Sequence, residues 1–251
     1  MTGKRPFSDL VSLHGPAVLR VCRALLGPVD ADDAWSETFL SALHVMTMTT
    51  QGPDRDFTEL FGSPPGADDL AWLYARLAAR AEAEGLLDVA YRTLDTPVGT
   101  LLLAATPTGL VRVAYEREDL DTVLGRLAGT VSARILRAPA RLDETARQIE
   151  EYFARHRTHF DLPLDLSFSS GFRRSVLSYL PAIGYGQTAS YQSVAAAVHH
   201  PRAVRAVGTA CATNPLPLVI PCHRVVRSGG RLGGYVGGTE IKHQLLDMEA
   251  R

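Results

Sequence analysis

A cysteine directly followed by a histidine, Cys222-His223, is the pair in this sequence best suited to nucleophilic chemistry. A thiol attacks carbon well only as its thiolate, and a nearby imidazole can help to form that thiolate near neutral pH. The apolar run 216–220 before the pair predicts a buried segment that carries the thiol to a pocket. The glycine-rich stretch 227–238 after it predicts a loop that a flat ligand can approach closely. A lone cysteine is more often a small buried hydrophobe, so the pair by itself leaves both interpretations open.

The segments before this pair are predicted to be helices. Apolar side chains at helical spacing predict one helix over 172–180. Two shorter helices, 191–198 and 202–212, are separated by a break at 199–201, which is the layout of a helix-turn-helix. The second of them is built from small side chains, and its backbone could therefore approach either DNA or a neighbouring helix closely.

Residues 89–165 change to the alternating pattern of strands. A strand, a turn at 96–99 and a second strand are predicted over 91–106, and a third strand over 109–115. A helix is predicted over 138–160. No convergent set of catalytic side chains is evident in this segment, so we expect it to be structural support.

Residues 1–88 carry helical patterns only. Helices are predicted from residue 7 to residue 26, from residue 30 onward, and over 69–84, with a loop of Pro, Gly and Asp at 51–69. The expected fold is therefore α+β, in three domains: a helical bundle at 1–88, a small strand-rich αβ domain at 89–165, and a mostly helical domain with a helix-turn-helix at 166–251.

Charge and composition narrow the classes of function. Residues 166–251 hold 9 Lys and Arg against 3 Asp and Glu, a net of +6, while residues 1–88 hold 7 against 13, a net of −6. A basic C-terminal third is typical of a protein that binds the phosphate backbone. No signal-type or membrane-spanning apolar run occurs, and the 3 cysteines are widely spaced and odd in number. We therefore expect a cytoplasmic protein without a membrane partner, without a metal site and without a disulfide framework.

An ordered series of short motifs in the last third is specific to one family. The motifs, in order, are Ser190-Tyr191-Gln192, Arg205-Ala206-Val207-Gly208, Asn214-Pro215, Pro221-Cys222-His223-Arg224-Val225, Gly233-Gly234-Tyr235, Lys242, Leu245-Leu246 and Glu249. Over 172–251 the chain thereby resembles the O6-alkylguanine-DNA alkyltransferases. A weaker resemblance to their N-terminal αβ domain covers 89–165 and includes the turn at 96–99. The resemblance implies direct DNA repair by stoichiometric transfer of an alkyl group to Cys222, with neither cofactor nor metal.

The resemblance also implies a role for each motif residue. Cys222 would accept the alkyl group, and His223 would withdraw the thiol proton through a water molecule. Glu249 would orient the imidazole, and a predicted amphipathic helix before it would bring it back to the site. Tyr191 would donate toward the guanine ring as the leaving group gains charge, and Asn214 would brace the loop before the thiol. From the residues alone, Glu249 could equally be an ordinary surface acid, and Tyr191 could be part of the core.

The partner implied is double-stranded DNA carrying O6-alkylguanine, bound by a monomer through the minor groove with the damaged base flipped out. Arg205 would replace that base in the stack, although it could instead be one more phosphate contact. Further DNA contacts are predicted at Ser190, Gln192, Ala206, Gly208 and Arg224. The pocket is predicted to be lined by Pro217, Val225, Gly233, Tyr235 and Val236. Val236 stands where some relatives carry a hydroxyl. A lesion-binding protein that transfers nothing is disfavoured because the cysteine is present.

The N-terminal helices resemble region 2 of the extracytoplasmic-function sigma factors. The motifs are Phe7-Ser8-Asp9-Leu10, Leu25-Leu26-Gly27, Asp32-Asp33, Glu37-Thr38-Phe39-Leu40 and Ala71-Trp72-Leu73. This resemblance implies a contact of residues 1–88 with RNA polymerase, and hence an alternative function as an alkylation-responsive transcription regulator. No promoter-reading helix-turn-helix follows and the segment is acidic, which favours a helical adaptor or relic instead.

Overall fold

The structure is a computed structural model that describes residue 75 and residues 77–250. The helices predicted before residue 69, and the sigma-like motifs with them, lie outside the described residues. Within the described part the helix predicted over 69–84 continues to residue 83, and Gly85 follows it with a positive φ of 68°. No helix in the described part is long and apolar enough to cross a membrane.

The chain divides into two compact units, of which the first comprises the described residues up to Ala90 together with Leu127–Ala138. Its core is small and consists of Ala78, Ala81, Leu87, Ala90, Leu136 and Ala138. Arg134 stabilises this unit by donating two hydrogen bonds, of 2.7 and 2.8 Å, to the carboxylate of Asp88. Strand β4 (Ile135–Arg137), which the sequence did not predict, belongs to this unit.

The second unit, Tyr91–Arg126 with the described residues from Pro139 onward, contains a meander of three strands. The strands are β1 (Val89–Thr96), β2 (Gly99–Thr106) and β3 (Gly109–Tyr115), in the spatial order β3-β2-β1. The first residues of β1 belong to the first unit, where β1 pairs with β4. The predicted strands and their turn are confirmed. Thr96 closes the turn by donating to the carbonyl of Gly99 over 2.6 Å, and Gly99 has a positive φ of 94°. Strands β2 and β3 pair antiparallel, with Leu101 opposite Tyr115.

Two helices differ from the sequence prediction. Helix α1 (Leu120–Thr130) follows β3 and was not predicted. The helix predicted over 138–160 is shorter: Pro139–Leu142 forms a 3₁₀ turn and α2 spans Asp143–Phe153. Helix α2 ends early because Arg155 adopts a left-handed φ of 61°. The amides of Arg155 and His156 then donate to carbonyls in the last turn of α2.

The helices predicted after residue 170 are confirmed to within about two residues. They are α3 (Gly171–Tyr179), the helix-turn-helix pair α4 (Tyr191–Ala197) and α5 (Val204–Ala212), and α6 (Thr239–Glu249). Ser190 caps α4 by accepting from the amide of Ser193 over 2.9 Å. A two-residue parallel pair, β5 (Ala189–Ser190) with β6 (Val225–Val226), ties the helix-turn-helix to the segment after the Cys-His pair.

One apolar core runs through the second unit from the strands to α6. Leu101 and Leu103 of β2, Ile149 of α2, Val207 of α5 and Leu245 of α6 all belong to it. The predicted boundary near residue 165 therefore falls inside this continuous core, and side chains from 91–165 can reach the segment that holds the Cys-His pair.

Candidate active site

The thiol of Cys222 lies at the end of a buried segment, as the apolar run before it predicted. Cys222 begins a 3₁₀ turn and is 2% exposed. The amide of Asn214 donates to its Sγ over 3.1 Å and to the carbonyl of Ile220 over 2.9 Å, while the Asn214 oxygen accepts from the amide of Leu216 over 3.0 Å. Asn214 thus holds both the thiol and the strand of chain that delivers it.

The thiol is protonated at neutral pH. Burial raises the pKa of Cys222 to about 11, against the opposing influence of the Asn214 hydrogen bond and the nearby ammonium of Lys242. Lys242 is itself fully buried, and its Nζ donates to the carbonyl of Val225 over 2.6 Å. Nucleophilic attack by this sulfur consequently needs a group that takes the thiol proton.

His223 is placed to be that group. Its Nε2 lies 3.0 Å from Oε1 of Glu249, and both side chains are fully buried. A carboxylate only accepts hydrogen bonds, so Nε2 carries the proton of the neutral ring and Nδ1 is left as a bare acceptor. Nδ1 has no hydrogen-bond partner among the described residues. Burial lowers the pKa of His223 more than its contact with Glu249 raises it, which keeps the ring neutral and able to accept a proton.

The carboxylate of Glu249 is held by several donors besides His223. Arg224 donates to both of its oxygens, from Nε and Nη2, over 2.9 Å each. The amide of Gly186 donates to Oε2 over 3.3 Å and the hydroxyl of Tyr152 to Oε1 over 2.6 Å. Burial alone would raise the pKa of Glu249, but the hydrogen bonds from His223 and Arg224 outweigh it and lower that pKa to about 2.

Arg224 does not lie where the sequence prediction put it. It was assigned to DNA, yet the residue is only 5% exposed and its Nη1 donates to the carbonyl of Ile183 over 2.7 Å. Its charge faces Glu249, so no part of the guanidinium is available to a DNA phosphate. The assignment of Arg224 as a DNA contact is therefore wrong.

Two tyrosines from the strand-rich segment reach the site, although sequence reasoning assigned that segment to structural support. Tyr152 of α2 contacts Glu249, 97 residues further along the chain. The hydroxyl of Tyr115, at the end of β3, lies 2.8 Å from that of Tyr235, 120 residues away. No local pattern marks either residue, because both read as ordinary apolar positions of their strand or helix.

A cavity of about 570 Å³ opens beside these residues. Among the predicted residues it is lined by Tyr191, Arg205, Gly208, Gly233, Tyr235 and Val236. Pro217 and Val225 are buried and do not line it. Cys222 is not a lining residue either, but it lies close enough to Tyr191 and Tyr235 that, after burial, its thiolate form contributes to the raised pKa of each hydroxyl. The cavity is large enough for a nucleobase and its substituent.

The helix-turn-helix presents the remaining predicted DNA contacts on one stretch of surface. Gln192, Arg205 and Ala206 are exposed, and Gly208 is half-buried at the rim of the cavity. The hydroxyl of Ser190 is engaged by Ser193 as a helix cap. The described residues thus combine a helix-turn-helix, a cavity at its second helix and a buried Cys-His pair. This is the combination expected of a DNA-binding protein with a nucleophilic cysteine.

Comparison with known proteins identifies the family. The model of the 6-O-methylguanine DNA methyltransferase ribonuclease-like domain matches residues 89–166, and that of the DNA binding domain of the same proteins matches 171–251. The methylated-DNA–protein-cysteine methyltransferase of Methanosarcina barkeri is 38% identical over 159 residues, covering 63% of this chain and 96% of the relative. The constitutive enzyme of that name from Bacillus subtilis is 40% identical over 161 residues, covering 63% and 94%.

A solved structure agrees with these relatives. Mycobacterium tuberculosis OGT, crystallised in complex with DNA, superposes with a TM-score of 0.56 and 35% identity, over 64% of this chain and 92% of that one. The chain belongs to the methylated-DNA–protein-cysteine methyltransferase family, as its motifs predicted.

Proposed function

We propose that this protein repairs DNA directly, by moving the alkyl group of O6-alkylguanine onto Cys222 in one irreversible step. The observation that carries the proposal is the buried pair of Glu249 and His223, which directly follows the buried thiol of Cys222 in the chain. A cavity of nucleobase size lies at Tyr235, whose ring contacts the His223 imidazole. A sulfur–carbon bond forms at Cys222 while the carbon–O6 bond breaks, and the bonding electron pair leaves with guanine. The thioether product is stable, so each molecule reacts once.

The protons move in step with that displacement. Nδ1 of His223 accepts the thiol proton through a water molecule, and the Glu249 carboxylate stabilises the imidazolium that forms. Asn214 orients the sulfur through its 3.1 Å hydrogen bond. Tyr191, at the cavity wall, donates toward the guanine as negative charge grows on the leaving group. These are the roles that the family resemblance implies, and none of them needs a metal.

DNA is the partner that the family and the helix-turn-helix support. In the proposal α5 lies in the minor groove and the damaged base rotates out of the stack into the cavity, because its O6 substituent cannot be reached inside a duplex. Arg205, exposed at the cavity rim, takes the place of that base. The protein acts as a monomer, and in the cytoplasm, where DNA is accessible and the thiol stays reduced.

The contact of residues 1–88 with RNA polymerase stays a prediction. It is tested by asking whether the full chain binds purified core polymerase and directs it to specific start sites. The regulator alternative built on that contact is not favoured, since the relatives described above are methyltransferases and cover 63–64% of this chain.

The proposed function is tested with a duplex whose O6-methylguanine carries a radiolabelled methyl group. The label should move to the protein one-to-one, and peptide mass spectrometry should find it on Cys222. Cys222→Ala should transfer nothing while still binding the duplex. Cys211→Ala is the matched control, because Cys211 is also a buried thiol whose pKa burial raises, to about 12, but it lies on α5 and outside the 3₁₀ turn that holds Cys222 and His223. Label on Cys211, or transfer by Cys222→Ala, would refute the assignment.

A further inference from the structure

The loop that carries Tyr235 into the cavity wall is held by a residue from a distant strand. Tyr115, the last residue of β3, is 1% exposed. Its hydroxyl lies 2.8 Å from the hydroxyl of Tyr235, and the two rings meet edge to face with centroids 5.8 Å apart. This contact is made to a residue that lines the cavity.

The Tyr235 ring occupies a junction in the site. One edge lines the cavity, and the ring also meets the imidazole of His223 in a T-shaped contact with centroids 6.2 Å apart. Tyr235 therefore contacts both the cavity and the imidazole.

The backbone around Tyr235 does not fix that position by itself. Glycines stand at 233, 234, 237 and 238, and glycine restricts the chain less than any other residue. Gly237 packs directly on the two rings: a Cβ there would come within 2.9 Å of Tyr115 and 3.0 Å of Tyr235. A Cβ on Gly238 would overlap the guanidinium of Arg117, two residues beyond Tyr115. The end of β3 thus contacts this loop at two successive glycines as well as at the tyrosine hydroxyl.

We infer that Tyr115 is a positioning residue for the alkyl-acceptor site, which through its hydroxyl holds Tyr235 as the wall of the base-binding cavity. The inference rests on the proposed function and deepens it, because it makes the strand-rich segment a determinant of how the base is bound. Tyr115 does not itself line the cavity. Its hydroxyl acts on the cavity wall through Tyr235, whereas its ring packs on Gly237, so the role of the hydroxyl is separable from packing and stability.

Removing the hydroxyl should weaken base binding more than it slows the chemical step. The cavity wall is held by Tyr115, whereas the imidazole is held independently by Glu249. In Tyr115→Phe the half-saturating concentration of free O6-benzylguanine should rise by about three- to tenfold, the effect of losing one neutral hydrogen bond. The limiting rate of transfer should change by less than about twofold on the same reasoning. The phenyl ring keeps the apolar packing, so the melting temperature should differ little from the parent.

A double-mutant cycle on the full chain tests the inference, with single-turnover kinetics of the parent, Tyr115→Phe, Tyr235→Phe and the double variant. The Tyr115 change should have no further effect on half-saturation once the Tyr235 hydroxyl is gone. Tyr179→Phe is the control, because Tyr179 is half-buried on α3 and does not line the cavity. An equal effect of Tyr115→Phe in both backgrounds, or parent kinetics in the single variant, would overturn the inference. A parent protein that transfers nothing would instead overturn the proposed function. If Tyr115→Phe has a lower melting temperature than the parent, Tyr235→Phe serves as the second variant, because it removes the same hydrogen bond from the loop side. Its half-saturating concentration of O6-benzylguanine must then rise by the same factor.

Discussion

The hydroxyl of Tyr152 donates over 2.6 Å to Oε1 of Glu249, the same oxygen that faces Nε2 of His223 over 3.0 Å. Together with Nη2 of Arg224, three donors therefore share this one carboxylate oxygen. Tyr152 is fully buried among the rings of Phe153, Phe160 and Tyr185, so its hydroxyl cannot swing away. The strand-rich segment thereby fixes the carboxylate that orients the imidazole.

Tyr152→Phe should keep this packing and lose only the hydrogen bond. Oε1 then carries more negative charge toward His223, so the pKa of the imidazole should rise and the acid limb of the pH–rate profile should move to higher pH. At a fixed pH on that limb, transfer should slow by about three- to tenfold, which corresponds to a pKa raised by about 0.5 to 1. Single-turnover rates across pH measure both effects. Tyr185→Phe is the control, since the buried Tyr185 hydroxyl has no hydrogen-bond partner among the described residues. An unmoved acid limb in Tyr152→Phe would contradict the prediction.

The two site residues that the sequence did not reveal, Tyr152 and Tyr115, have their partners 97 and 120 residues away. Strand alternation and helical spacing report only which face of an element is buried, and a buried tyrosine satisfies that pattern whether or not its hydroxyl is used. The strands and the helix-turn-helix were predictable because their turns are local, as at Gly99 and at His199 with its φ of 62°.

Arg224 illustrates the opposite error. Its charge, in a basic third of the chain, suggested a phosphate contact. Its actual position depends on a carboxylate 25 residues further on, at the end of α6. The family motif contains both residues but does not say that they face each other. A charge inside an otherwise apolar run, here next to Val225 and Val226, is the sequence signal that could have indicated a buried ion pair.

That ion pair should dominate the stability of the site. Arg224→Met leaves the Glu249 carboxylate buried without its main counter-charge, and should lower the free energy of unfolding by about 3–5 kcal/mol. The double variant Arg224→Met with Glu249→Gln removes both charges, so its loss should be smaller than the sum of the two single losses. Chemical denaturation of the four proteins gives the comparison. Strictly additive losses would mean that the two side chains do not depend on each other.

The dependence of transfer on pH should distinguish a thiol deprotonated during the reaction from one ionised beforehand. Burial raises the pKa of Cys222 to about 11, so a reaction of pre-formed thiolate would speed up about tenfold per pH unit throughout the neutral range. Proton transfer to His223 makes the rate depend on the neutral imidazole, whose pKa burial lowers from its ordinary value. We therefore expect a plateau between about pH 7 and pH 9 and a fall on the acid side below about pH 6.5. Rates with free O6-benzylguanine measure this without DNA binding, and a steady rise through that range would exclude His223 as the base.

Gly233 should tolerate no side chain, for a reason specific to Tyr191. A Cβ at Gly233 would overlap the Tyr191 hydroxyl and come within 3.1 Å of its ring. Gly233→Ala should displace that hydroxyl and slow transfer by roughly tenfold or more, the effect of losing one hydrogen bond to a developing charge. Gly234→Ala is the matched control, because a Cβ there meets nothing within 4 Å and neither glycine has a positive φ. Equal rates for the two alanine variants would show that the Tyr191 hydroxyl is not used.

Arg205 should matter only when the base has to leave a duplex. It is exposed at the rim of the cavity, where it can enter the stack without contributing to the thiol, the imidazole or the carboxylate. Unstacking costs a few kcal/mol, so Arg205→Ala should slow transfer from a duplex by about tenfold or more while leaving free O6-benzylguanine within about twofold of the parent rate.

Arg202→Ala is the matched control for Arg205, since it removes the same charge from an exposed position in the turn before α5 that does not line the cavity. Its effect should be confined to duplex affinity and should shrink as salt is added, as for a phosphate contact. The Arg205→Ala defect should persist in salt, because it concerns the population of the flipped base and not the attraction between charges. A loss of similar size on free O6-benzylguanine would make Arg205 structural. A duplex defect that vanishes in salt as the Arg202 defect does would reduce Arg205 to a phosphate contact.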